Sequence, residues 1–219
     1  MPLLSEYEVY IFDCDGVILD SNQLKIEAMK NALEVHFSDQ ELIVKCVDYF
    51  SHNFGKSRFH HVSYFLNRIL NIEEDKKDEL EQLILADFSK QCRRLYVTAE
   101  VTPGFLKLLT ECKGKRYVAS GSEQSELRDV FFQRGLDIHF EDVFGSPTPK
   151  VEHIQYILKR EKTTNAIMFG DAESDMRSAK ENNIDFVFYS PYSNVKAEMK
   201  KECKSKGYSI INSWDELSC

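Results

Sequence analysis

The sequence predicts an α/β protein: a doubly wound parallel sheet, interrupted directly after its first strand by an all-helical insertion. Three observations carry this expectation. Val9-Tyr10-Ile11-Phe12 is a continuous apolar run, the pattern of a strand covered on both faces, as parallel-sheet strands are. From about residue 20 to about residue 96, apolar side chains recur at helical spacing. From about residue 97 onward, short apolar runs alternate with helical patterns, which is the grammar of βαβ units.

The elements follow in order. Residues 22–36 place Leu24, Ala28, Ala32 and Val35 on one helical face. Ser38-Asp39 reads as a cap before a second helix carrying Leu42, Ile43, Cys46, Val47 and Phe50. A third helix over residues 57–70 carries Phe59, Val62, Phe65, Leu66 and Ile69. The charged stretch 73–79 reads as a solvated turn and helix face leading into a fourth helix with Leu80, Leu83, Ile84 and Phe88. Beyond it, Thr102-Pro103-Gly104 introduces a helix, and Tyr117-Val118-Ala119-Ser120 is a short strand. A helix over 124–133 is closed by Gly135, and another spans about 151–159. A strand at 166–169, a helix from about 174 to 181 ending at Asn182-Asn183, and a strand at 186–189 complete the series. The implied division is a sheet domain of residues 1–18 and 97–219 and a helical domain of residues 19–96, joined by two crossings.

Composition narrows the function. With 219 residues, 42% hydrophobic and 29% charged, the chain is an ordinary globular protein with room for one domain and a sizeable insertion. A formal charge of −8 argues against a nucleic-acid partner, because nothing concentrates enough Lys and Arg to displace counterions. The same field repels anionic substrates, so a phosphate ligand needs a local cation, either a metal or a well-placed lysine. The six cysteines are scattered without a C-x-x-C pair or a Cys-x5-Arg loop, which excludes zinc-finger, thioredoxin-like and Cys-dependent phosphatase chemistry. The first residues lack a charged segment followed by an apolar stretch, and no apolar run approaches the ~20 residues that span a bilayer. The expectation is a cytoplasmic protein with reduced thiols and no membrane partner.

The chemistry gathers at strand ends. The first strand stops at Asp13-Cys14-Asp15-Gly16, and a second acidic cluster, Gly170-Asp171-Ala172-Glu173-Ser174-Asp175, follows another apolar strand. Turn or capping aspartates would account for either cluster alone. Both together lie where open α/β sheets bind ligands, beyond the carboxyl ends of strands. Between them stand two more strand-end candidates, Ser120-Gly121 and Lys150.

These residues, in this order, resemble the four motifs of the haloacid dehalogenase superfamily, most of whose members are phosphatases and phosphotransferases. The likeness is to the phosphoglycolate phosphatase-like and beta-phosphoglucomutase-like group, and it covers nearly the whole chain. It implies a Rossmann-like core with a helical C1-type cap and a Mg2+-dependent phosphatase acting on a small phosphorylated metabolite, a sugar phosphate being favoured. By the family pattern Asp13 attacks phosphorus and forms an aspartyl-phosphate. Asp15 protonates the departing oxygen and then activates water. That role needs a pKa above the reference value of about 3.9, which crowding by carboxylates is expected to supply. Ser120 and Gly121 hold a phosphoryl oxygen, with Gly16 also on the substrate side, and Lys150 neutralises the phosphate and nucleophile together. Asp13, the Asp15 backbone carbonyl, Asp171 and Asp175 form the metal site, Asp175 through water or as a supporting group. Like charges ~4 Å apart repel by about 4 kcal/mol at an effective dielectric near 20. Such a cluster needs a cation, and Mg2+ accepts few protein oxygens while keeping waters for a phosphate to displace.

The chain departs from the family at two points. The common Lys-Pro-x-Pro segment reads Ser146-Pro147-Thr148-Pro149, so Lys150 is assigned as the only lysine there. Asn183 replaces a helix-ending glycine, which its tolerance of the left-handed region permits. In the helical insertion, Asn53, Gly55, Lys56 and Arg58 lie between two helices and are the candidates for substrate selection. Gly55-Lys56-Ser57 echoes a P-loop ending, but Phe50 stands where the first glycine is needed, so that reading fails. His60-His61 reads as helix surface and core, not as zinc ligands. Two alternatives use the same scaffold: an intramolecular phosphosugar mutase, and a non-catalytic sugar-phosphate sensor or partner-binding module. Oligomeric state is not legible in the sequence.

Overall fold

The computed structural model describes residues 3–217. The reading that rests on Met1 and Pro2, and the sixth cysteine, Cys219, lie outside the described residues. Six parallel strands, β1 (Val9–Phe12), β2 (Lys115–Glu123), β3 (Asp142–Ser146), β4 (Ala166–Gly170), β5 (Asp185–Tyr189) and β6 (Ser209–Ile211), form one sheet in the order β3-β2-β1-β4-β5-β6. The winding reverses between β1 and β4, which lie side by side with Phe12 opposite Phe169. Such a reversal opens a crevice beyond the strand ends. Both acidic clusters leave the sheet there, and the Asp13 amide donates to the Phe169 carbonyl at 3.0 Å.

Every residue of β1 is fully buried, as its unbroken apolar run requires. Tyr10 and Phe12 point to one face, where Phe12 stacks on Phe169 at 5.0 Å and meets Phe105 edge-on at 5.2 Å. Val9 and Ile11 point to the other, against Ile154, Met168 and Met176. The sheet is covered by α5 (Phe105–Glu111), α6 (Gln124–Gln133), α7 (Lys150–Glu161), α8 (Glu173–Glu181) and α9 (Lys196–Lys206).

Between β1 and β2 the chain forms α1 (Asn22–Glu34), α2 (Gln40–His52), α3 (Arg58–Tyr64) and α4 (Glu74–Thr98). Helix α1 packs on α2 and α4, and α3 packs on α4. Asp39 caps α2 by accepting from the Glu41 and Leu42 amides, as its position predicts. The expected 57–70 helix is two pieces: α3 passes into a π-helical turn over Phe65–Ile69, closed by the Leu70 amide on the Phe65 carbonyl, and the adjacent Phe65 and Leu66 are both buried. The charged stretch 73–79 is itself the start of α4, where Glu74 and Asp75 suit the positive end of the helix dipole. Strands β3 and β6 and helix α9 were not expected. Their sequences hide them: β3 contains a glycine and a serine, β6 has three residues, and α9 buries only Met199 and Cys203 in a lysine-rich stretch. Among the described residues no helix is long and apolar enough to cross a membrane.

Candidate active site

Asp13, at the end of β1, meets Asp171 and Asp175, which follow β4. One carboxylate oxygen from each lies within 4.8 Å of the others, and all three side chains are buried. Glycines make the crowding possible. Gly16 has φ +72°, and a Cβ there would strike Asn22 and Asp171. A Cβ on Gly170 would overlap Asp175. The Lys150 ammonium, delivered by the first residue of α7, stands 3.0 Å from Asp13 Oδ1 and bonds Asp175 Oδ1. Asp175 Oδ2 accepts from the Asp171 and Ala172 amides at 3.2 and 3.1 Å, so this side chain also starts α8. Asn22 Nδ2 donates to Asp171 Oδ2 at 2.6 Å.

Three carboxylates thus share one ammonium. Burial pushes Asp13 up to about 7 against the pull of Lys150, with Asp175 and Asp15 adding to the rise. Burial, then the charges of Asp13 and Asp175, push Asp171 well above the carboxylate range. Burial disfavours charged Lys150, but Asp13 and Asp175 outweigh it and hold the ammonium above its ordinary pKa. A buried all-oxygen cluster with surplus negative charge fits a hard divalent cation.

Asp15 faces away from this cluster. Its Oδ1 accepts from Ser21 Oγ at 2.6 Å and Tyr96 Oη at 2.9 Å, and its Oδ2 from Lys25 Nζ at 2.9 Å and Ser122 Oγ at 2.8 Å. The expectation of a raised pKa is therefore corrected. Burial does oppose ionisation, but the Lys25 charge and hydrogen bonds from Lys25, Ser21 and Ser122 outweigh it and hold the carboxyl below its usual range. Sequence reading missed Lys25, Tyr96 and Ser122. Lys25 left a signal: it stands on the buried stripe of α1 with Asn22, Ala28, Met29 and Ala32, where a lysine needs a partner.

The loop between α2 and α3 closes over the strand ends. Gly55 has φ +85°, and a Cβ there would collide with Ser174 and come within 3.6 Å of Lys150 Nζ. A Cβ on Gly121 would lie 2.7 Å from the Gly55 carbonyl oxygen. Ser120 is buried below this contact and accepts from the Ser122 amide at 3.1 Å. Gly55 and Lys56 join Ser120, Gly121 and Lys150 around a cleft of about 370 Å³. Asn53 does not line that cleft and instead accepts from Lys56 Nζ at 2.7 Å. Arg58 is turned toward α6, where both guanidinium arms meet Glu126, at 3.0 and 2.7 Å. His60 is exposed on α3 and His61 is buried, the surface-and-core division read from the sequence. Asn183 adopts φ +54° at the end of α8, as expected of an asparagine replacing glycine.

A family model for haloacid dehalogenase-like hydrolases matches residues 7–183. Among solved structures, the chain is similar to a predicted phosphatase from Clostridium acetobutylicum, with 21% identity, coverage of 96% of this chain and 95% of that one, and a TM-score of 0.74. It is similar to beta-phosphoglucomutase from Clostridium difficile, with 20% identity, coverage of 97% and 93%, and a TM-score of 0.69. A predicted phosphoglycolate phosphatase from Haemophilus somnus shows 14% identity, 95% coverage of both chains and a TM-score of 0.71. At these identities the likeness is one of fold. No curated protein matches. The family match extends over both acidic strand ends and everything between them, and the chain belongs to the haloacid dehalogenase-like hydrolases.

Proposed function

We propose that the protein is a Mg2+-dependent phosphatase that hydrolyses a small phosphomonoester through an aspartyl-phosphate on Asp13. The observation that carries this reading is the division of labour between the two motif acids: Asp13 sits among Lys150, Asp171 and Asp175, whereas Asp15 faces the opposite side. Asp13, Asp171 and the Asp15 backbone carbonyl would hold the metal, with Asp175 orienting the set. Bound there, Mg2+ would supply charge compensation for the phosphoryl oxygens.

The chain's own groups do the rest. An Asp13 carboxylate oxygen attacks phosphorus while Lys150 offsets charge on the nucleophile and the phosphoryl group. Ser120 Oγ and the Gly121 amide donate to a phosphoryl oxygen. Asp15 gives a proton to the departing oxygen and recovers one from the water that cleaves the intermediate. The Lys25 contact favours ionised Asp15, which suits the second step as it stands. Protonation for the first step then accompanies substrate binding, because an incoming phosphate adds negative charge beside Asp15. Residues 19–96 serve as the cap. Its two crossings pair with each other, Leu19 bridging Val101 and the Asp20 amide donating to Glu100 at 2.9 Å, a hinge-like seam. Closing the cap excludes stray water.

The test is turnover of 4-nitrophenyl phosphate with Mg2+. Asp13→Asn is expected to abolish it without lowering the melting temperature, and unchanged turnover would remove Asp13 from the mechanism. Free phosphate released from hexose phosphates distinguishes hydrolysis from the isomeric product of a mutase.

A further inference from the structure

The cleft of about 370 Å³ beside Gly55 has a charge opposite to that of the molecule as a whole. The chain carries a formal charge of −8, yet among the described residues no carboxylate lines this cleft. Its wall holds Lys56, Lys150 and Arg177, and its size suits a small ligand. Asp13, Asp171 and Asp175 do not line it, so the cleft lies alongside the catalytic cluster and not within it. Lys150 borders both, but its ammonium is committed to Asp13 and Asp175.

Lys56 and Arg177 are not committed. Lys56 Nζ donates to the neutral Asn53 side chain at 2.7 Å and stands 5.7 Å from the centre of the Tyr49 ring, and among the described residues it forms no ion pair. Arg177 meets Glu181 at 3.6 Å, with the two side chains 64% and 52% exposed, a pair that contributes little. Glu173 lines a neighbouring hollow together with both cations but forms an ion pair with neither. The two cations reach the cleft from different parts of the chain, Lys56 from the loop between α2 and α3 and Arg177 from α8.

Two further features favour an anion there. Lys150 and Val151 open α7, Ser174 stands in the first turn of α8, and all three line the cleft. The positive ends of two helices therefore border the same space. Ser146 also lines it and is 1% exposed, yet its Oγ has no hydrogen-bond partner among the described residues. A buried hydroxyl left unpaired calls for an explanation, and a ligand oxygen that accepts from it supplies one.

We infer that this cleft is a second anion site, which takes a phosphate group other than the one transferred to Asp13. Lys56 and Arg177 match the two charges of a phosphate dianion, and Ser146 Oγ donates to one of its oxygens. That phosphate belongs either to a substrate bearing two or to free product. The site goes beyond the phosphatase reading, and only the choice between these sources rests on it.

Calorimetric titration of the full chain with inorganic phosphate, at low ionic strength and in chelator, tests the site without turnover. In chelator the surplus negative charge at Asp13, Asp171 and Asp175 turns phosphate away from the catalytic cluster. Wild type is expected to bind one phosphate, and Lys56→Met and Arg177→Met are each expected to weaken it at least about fivefold. Binding absent in chelator, or weakened less than that in either folded variant, overturns the inference. If Lys56→Met does not fold, Arg177→Met, at an exposed position, decides alone. Turnover with Mg2+ then separates the sources. If the substrate bears both phosphates, wild-type kcat/KM for ethane-1,2-diyl bisphosphate exceeds that for 2-hydroxyethyl phosphate at least about tenfold, and Arg177→Met removes the preference. No such preference in wild type, or one that survives Arg177→Met, assigns the cleft to free phosphate. Failure of wild type to release phosphate from either ester or from 4-nitrophenyl phosphate would overturn the phosphatase reading while the binding result stands.

Discussion

The two carboxylates of the Asp13-Cys14-Asp15 stretch, one residue apart, live in opposite electrostatic settings. Around Asp13, three buried acids share Lys150, and burial drives Asp13 and Asp171 toward protonation. Around Asp15, a lysine, two serines and a tyrosine satisfy one acid completely, and it is held ionised. Strand alternation would put residues 13 and 15 on one side, but β1 ends at Phe12, and both acids lie in the turn beyond it, where that alternation no longer holds. The difference teaches that the Asp13 side is built with surplus negative charge still to be offset, whereas the Asp15 side arrives already balanced.

The strongest way to break this comparison is to remove the balancing cation. Lys25→Met strips Asp15 of its partner, so the carboxyl pKa rises and its ionised form appears only at higher pH. Turnover near neutral pH is expected to fall by about 100-fold, the lower end of what general acid-base catalysis contributes. The acid limb of the pH–rate profile should also move upward. An unchanged profile would show that Lys25 does not govern Asp15.

Offsetting the surplus on the other side is the next largest effect. A group with a raised folded pKa stabilises below its unfolded value and loses that contribution as pH climbs through the folded one. Asp13, raised to about 7, therefore weakens the metal-free protein as pH rises toward and past neutrality. Mg2+ competes with protons for the same oxygens and should stabilise more at pH 8 than at pH 6. At 100 times its dissociation constant the gain is about 2.7 kcal/mol. Thermal melts with Mg2+ and with chelator at the two pH values measure it, and a larger shift at pH 6 would contradict the surplus.

The smallest effect sharpens the balanced side. His61, held to about 3, is the opposite case: unfolded chains take up its proton below about 6.5 and the native state does not. Stability contributed by this neutral imidazole is lost as pH falls from about 6.5, amounting to about 2 kcal/mol by pH 5. With Mg2+ bound to silence the acid cluster, His61→Phe should flatten that slope. An identical slope in the variant would assign the loss elsewhere.

Motif acids and glycines were legible because each obeys a local rule: a buried strand run must end, and crowded turns need glycine. Gly16, Asp171 and Asn183 adopt the conformations or contacts that such rules require. What stayed hidden depends on partners distant in sequence. Arg58 reads as a free cation in a loop until Glu126, 68 residues away, is placed beside it. Lys25 finds its balance only when Ser122, 97 residues on, completes the contact. The pKa of Asp15 was misjudged for the same reason, since carboxylates nearby in sequence were visible and the lysine on the next helix was not. Strand β3 was missed because a parallel sheet tolerates glycine at a strand end that a local pattern reads as a turn.

One feature of the sheet bears on how the molecule is made. β1 is translated first but lies in the middle, with β2 beginning at Lys115 on one flank and β4 at Ala166 on the other. During synthesis its apolar residues must wait for more than two-thirds of the chain before both neighbours exist, and such long-range pairing is slow and exposed to aggregation. The nascent chain therefore depends on something else to shelter that strand, whether its own early helices or a chaperone, until the ribosome has passed Gly170.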